Sequence, residues 1–130
     1  MGRSGLLRVA HAGHGSSSPW DVHNTLMAAG PDLKRGTTIG LPTANVDFAP
    51  TFLALLNLPR VNAMQGRPLE EAFVNARAAE PGSVRTDTHT ARAPDGTYTA
   101  TATFSTVRVG GREYRYFDGA KVGRTLVAPR

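Results

Sequence analysis

The chain has 130 residues, of which 40% are hydrophobic, with 14 Gly, 9 Pro and no cysteine. That length suits one domain and not two. It contains no run near the roughly 20 apolar residues of a membrane-spanning helix, so no membrane partner is expected. Without thiols there are no disulfides, and any bound metal must be held by His, Asp or Glu.

The net charge of +5 raises nucleic acid as a partner. Most of the surplus falls late in the chain, where Arg108, Arg112, Arg115, Lys121, Arg124 and Arg130 face only Glu113 and Asp118. On a two-stranded ribbon these arginines would spread over both faces. No basic helix or known nucleic-acid motif accompanies them. A solvated hairpin is therefore the expectation, and a nucleic-acid partner is not. Met1 to Ala12 holds no apolar run of signal-peptide length, so nothing there directs export if Met1 is the start.

In chain order, residues 1–23 read as loop, punctuated by Gly13, Gly15, the serines 16–18 and Pro19. Asn24 to Ala29 is a short apolar run closed by Gly30-Pro31, which predicts a buried strand. Residues 31–45 are a polar connection. Asn45 to Leu56 predicts a helix, with Asn45 or Asp47 as cap and Pro50 in the first turn, where its missing N–H needs no partner. Phe48, Phe52, Leu55 and Leu56 then share one face, expected to point inward. Gln65-Gly66-Arg67-Pro68 predicts a turn, followed by a short helix over 69–78 with Leu69, Phe73 and Ala76 inward. Residues 79–97 read as loop.

Beyond that, Thr97 to Val109 alternates Thr, Val, Tyr and Phe at period two and predicts a strand. Gly110-Gly111 makes a two-residue hairpin turn, Arg112 to Phe117 the return strand, Asp118-Gly119 a second turn and Lys121 to Val127 a third strand. Residues 97–127 thus form an antiparallel subregion of a single incomplete domain spanning 1–130. The layout lacks something. A buried strand at 24–29 needs neighbours on both edges, and no strand precedes it.

The stretch with chemical content is 11–36, with His11, His14 and His23. Their spacing matches no dedicated metal signature. Gly13 and Gly15 would let a tight turn present the His14 imidazole, and Ser16, Ser18 or Asp21 could fix its ring through the second nitrogen. For Asp21 a turn- or helix-capping role is the stronger reading. Thr25, Thr43 and Thr51 offer hydroxyls, but no base or metal frame surrounds them.

The run His14-Gly15-Ser16, Ser18-Pro19, Asp21 and Asn24-Thr25-Leu26, then Gly30-Pro31-Asp32, resembles the C-terminal active-site segment of alkaline phosphatase superfamily hydrolases. The type I phosphodiesterase and nucleotide pyrophosphatase branch is nearest, with the arylsulfatases beside it. The likeness continues through Leu41-Pro42-Thr43, Asn45-Val46-Asp47, Ala49-Pro50-Thr51 and Gly66-Arg67-Pro68-Leu69. It is less specific in the closing hairpin with Tyr114, Tyr116, Asp118 and Arg124.

The resemblance implies an α/β fold: the C-terminal part of an α/β/α sandwich, one or two strands plus two helices, followed by a small antiparallel meander. It implies that His14 is one ligand of a two-metal site, usually zinc. The other ligands and the nucleophile would come from an N-terminal part of the catalytic domain that acts as the missing partner, and the substrate would be a small phosphate, phosphodiester or sulfate ester. No role carries to His11, His23 or His89. One imidazole cannot run two-metal chemistry, so the chain alone is expected to be inactive. The competing readings are a non-catalytic binding module derived from the same fold and a small basic protein that binds nucleic acid.

Overall fold

The computed structural model describes residues 15–61, 63–76 and 83–124. Among them the chain forms two short helices and a three-stranded antiparallel sheet in the order β1-β2-β3. Helix α1 (Pro19–Val22) starts at Ser18, whose Oγ accepts the Trp20 N–H at 3.3 Å, with Pro19 at the first helical position. A 3-10 turn at Asn45–Asp47 runs into α2 (Phe48–Leu55). Asp47 stands at the N-cap position of α2 but bonds none of its amides through the side chain; it reaches back instead, its Oδ2 accepting the Ala44 N–H at 2.9 Å. The other end closes on Asn57, held at φ 53. Asn57 N–H donates to Ala54 O and Leu58 N–H to Leu53 O, a Schellman closure that satisfies carbonyls the helix leaves over.

The sheet is a continuous meander of β1 (Val84–Arg92), β2 (Tyr98–Val109) and β3 (Arg112–Arg124). Gly110 and Gly111, at φ 57 and 80, make the two-residue turn between β2 and β3. The expected turn at Asp118-Gly119 is instead a bulge. Phe104 pairs with Phe117 and Thr103 with Gly119, leaving Asp118 over, and the strand runs on to Arg124. β2 is long enough to keep offering ladder partners, so β3 has no reason to turn away. Ser105 Oγ donates to the spare Asp118 carboxylate at 2.6 Å.

Further expected elements differ: α1 falls within the stretch 1–23 that reads as loop. Residues 24–29 are not a strand but an exposed irregular segment. A single strand cannot satisfy its own N–H and C=O groups, and among the described residues no neighbouring strand flanks this one. The helix over 69–78 shrinks to a 3-10 turn at Glu70–Ala72, because Phe73 and its neighbours form a bridge to Leu33, with Lys34 N–H on Ala72 O and Val74 N–H on Asp32 O. The loop expected over 79–97 contains β1, an edge strand paired along its length with β2.

The core lies between the 47–69 region and one face of the sheet. Val107, Tyr114, Tyr116 and Leu69 are buried there with Pro50, Asp47 and Arg67. The apolar face of α2 does not join it: Phe52 is 61% and Leu56 68% exposed. The buried side of the helix is set by Asp47, Pro50 and Thr51, one turn apart, because Thr51 Oγ1 donates to Asp47 O at 2.6 Å and accepts the Leu69 N–H at 3.1 Å.

Gly66 makes this contact possible. A Cβ there would stand 2.0 Å from the Val46 carbonyl oxygen and 2.9 Å from the Asp47 nitrogen, both backbone. Gly66→Ala should therefore cost about 3 kcal/mol and abolish any cooperative urea transition followed by circular dichroism. Gly40→Ala, where a Cβ meets nothing within 4 Å, should leave the transition where it is.

Candidate functional site

His14, the expected metal ligand, and His11 lie outside the described residues. The segment that follows His14 is anchored to the sheet. Ala120 N–H donates to Ser17 O at 2.6 Å, and Pro19 packs on the Gly119 backbone so closely that a Cβ there would sit 2.9 Å from its Cγ. Ser16 and Asp21 are hydrogen-bonded to each other, and Ser16 Oγ also accepts the Ser18 N–H at 3.1 Å. With Ser18 capping α1, all three residues expected to steady the His14 ring are engaged in holding this small helix. His23 ends α1, exposed, its N–H on Pro19 O.

The hydroxyls expected as loose candidates divide. Thr51 is committed to the backbone on both sides. Thr25 and Thr43 line an open groove of about 760 Å³ with Leu26, Met27, Phe48 and Phe52. Its walls are the irregular 24–28 segment and the exposed face of α2, and they are mostly apolar. Among the described residues no group of three or more His, Asp or Glu could hold a metal ion.

What the fold does assemble is a buried polar cluster around Arg67. Its Nη1 and Nη2 donate to Glu71 Oε2 and Oε1 at 2.8 and 2.7 Å, a two-pronged pair. Nε donates to Tyr116 Oη at 3.1 Å, and the remaining N–H groups reach Pro42 O at 3.2 Å and Pro68 O at 3.5 Å. The Arg67 backbone N–H donates to Asp47 Oδ1 at 2.8 Å. Thus Asp47 ties the α2 entry to the 66–69 turn, and Arg67 ties that turn to β3.

Burial works against the Arg67 charge, but the hydrogen bond and charge of Glu71 outweigh it and hold its pKa above the ordinary value. Burial pushes the Tyr116 phenol well above its usual range, only partly offset by Arg67. The cluster lies between elements, and its groups are spent on one another, so it reads as a structural clasp. Sequence reasoning placed Gly66-Arg67-Pro68 in a turn and Asp47 at a cap without joining them. The only signal for the join was an arginine and an aspartate set among residues otherwise apolar or turn-forming. Comparison with known protein families, curated proteins and solved structures finds no match.

His89, expected in a loop without a role, lies on β1. Its Nε2 accepts from Arg115 Nη2 at 2.5 Å, and its ring meets Phe104 edge-on.

Two outcomes follow from the clasp. Glu71→Ala strands a guanidinium that is 1% exposed and should cost about 3 kcal/mol, while Arg67→Met with Glu71→Leu should cost less than that single change; chemical denaturation of the three chains decides it. For Tyr116 the folded pKa is raised, so its contribution is complete below pH ~10 and is lost as pH rises above that. Tyr116→Phe should flatten the fall in stability between pH 10 and 12, read by denaturation at stepped pH.

Proposed function

We propose that this chain is the C-terminal portion of a metal-dependent hydrolase of phosphoric or sulfuric esters, of the alkaline phosphatase superfamily. In this reading His14 supplies one ligand to a zinc site completed by an N-terminal part of the catalytic domain. The fold would be the corresponding end of an α/β/α sandwich, in which residues 24–29 become a strand once strands on either side pair with them. The substrate would be a small phosphate, phosphodiester or sulfate ester.

The observation that carries the reading is the join at Arg67. The pieces that bear the resemblance between Pro42 and Leu69 are separate in sequence, yet Pro42, Asp47, Thr51, Arg67, Pro68 and Leu69 meet in one hydrogen-bonded unit, with Gly66 packed on the Val46–Asp47 backbone beside it. A second support is the apolar surface left open beside the 24–29 segment, with Met27 at 86% and Phe52 at 61% exposure. Surfaces of that kind in a soluble chain mark a missing contact.

The described residues supply no metal frame and no activated nucleophile, so no catalytic step is assigned to them. Their part is to hold the segment after His14 on the sheet, through Ser17 and Pro19 against Ala120 and Gly119.

The 130-residue chain alone should hydrolyse aryl phosphate, phosphodiester and sulfate esters no faster than buffer with zinc. It should also populate oligomers on size-exclusion chromatography, since the apolar surfaces are open. In a chain extended upstream to include the N-terminal part, His14→Ala should lower bound zinc and turnover together and leave the circular dichroism spectrum intact, while His23→Ala changes neither. A saturable, chelator-sensitive rate from the 130-residue chain would sink the proposal. So would extended chains in which His14→Ala and His23→Ala behave alike.

A further inference from the structure

The two faces of the sheet differ. Register places Val107, Tyr114 and Tyr116 on the face covered by the Arg67 turn, and Tyr98, Phe104 and Phe117 on the other. Tyr98 is 46%, Phe117 40% and Val122 68% exposed there. Phe104 and Phe117 are cross-strand partners with ring centroids 5.5 Å apart. Toward Tyr98 the floor narrows to alanines, Ala102 facing Ala120 and Ala91 facing Ala100, which leaves the Tyr98 and Phe117 rings part-exposed.

The same face carries arginines. Arg85, Arg108, Arg115 and Arg124 lie in register with it, against Asp87 and Glu113, while Arg112 and Lys121 lie on the opposite face. Arg115 sits 4.0 Å over the Phe104 ring and Arg124 5.7 Å from the Tyr98 ring. Arg85 is paired with Asp87 at 3.1 Å, but among the described residues neither Arg115 nor Arg124 has a carboxylate partner.

We propose that this face binds single-stranded nucleic acid, with bases stacking on the exposed rings of Phe117 and Tyr98, Phe104 (under Arg115) backing Phe117, and backbone phosphates meeting Arg115 and Arg124. Aromatic rings on an open antiparallel sheet offer a stacking surface to unpaired bases, and guanidiniums whose charge no carboxylate neutralises offer charge at backbone distance. Six residues of strand separate Tyr98 from Phe104, about 20 Å, a span that suits about four nucleotides. A second copy of the chain fits poorly, because it would set these arginines against themselves. The inference stands on the sheet alone and does not rest on the hydrolase reading.

The test is fluorescence anisotropy of labelled (dT)12 with the full chain at 50 to 200 mM salt. Micromolar binding is expected, with a slope of log K against log salt of about −1.4, two phosphates' worth for a single strand. Arg115→Gln and Arg124→Gln should each flatten that slope by about 0.7. Phe117→Ala should weaken binding about tenfold and leave the slope alone. A blunt duplex of the same length should bind more weakly, its bases being already stacked. Absence of binding overturns the proposal, as does a duplex that binds as tightly as (dT)12. Equal binding of polyglutamate would give the face to an acidic protein and overturn it too. Should Phe117→Ala lose its sheet signal by circular dichroism, the two surface arginine changes still decide, and unchanged slopes in both overturn it.

Discussion

A guanidinium withdrawn from water must recover a bond for each of its N–H groups, and Arg67 is fully buried. It recovers them from the Tyr116 hydroxyl, both oxygens of Glu71 and the carbonyls of Pro42 and Pro68. Pro68 and Glu71 are its neighbours in sequence, but Pro42 and Tyr116 come from distant stretches, so leaving either of those unmet is felt across the molecule. Few apolar side chains are buried beside it. The alignment of α2, the 66–69 turn and β3 rests on directed polar bonds more than on area removed from water. Such a join fixes geometry well, since distance and angle are both demanded, but it adds less net stability than an apolar core of the same size.

Local chemistry made much of this legible in the sequence. The β2–β3 hairpin follows from Gly110-Gly111 between alternating runs, and α2 from an aspartate beside an alanine-proline step. β1 was missed, although Pro94-Asp95-Gly96 ahead of Thr97 is a strong turn signal. Asp95 Oδ1 in fact accepts both the N–H and the Oγ1–H of Thr97 at that turn. Reading 79–97 as loop gave weight to polarity, yet an edge strand with both faces wet has no need of apolar residues. The residue types of Asp118-Gly119 favour a turn, and only the length of β2 decides that the ladder continues through it.

The site was far less legible. Residue types alone suggest that His14 stands in a loop shaped to present it, and His14 lies outside the described residues; Ser16, Ser18 and Asp21 bond within the helix that follows it. The clasp could not be read at all, because Arg67 and Tyr116 are 49 positions apart and nothing local marks either as the other's partner. The failed strand at 24–29 has a different lesson. Its apolar character was read correctly. Whether such a run becomes a strand is settled by what lies alongside, and that information is not in the run itself.

The meander also sets an order of events. β1, β2 and β3 are consecutive in the chain and joined by short turns, so their pairing needs no long loop to close and can be quick. They are, however, the last described part of the chain to be synthesised. Arg67 leaves the ribosome well before Tyr116 does, at roughly 5–20 residues per second. For seconds, then, the 66–69 turn can meet Asp47 and Glu71 but has no β3 to dock against. Until the hairpin emerges, nothing among the described residues covers the sheet-facing side of α2 and its turn, and Arg67 Nε lacks its Tyr116 partner.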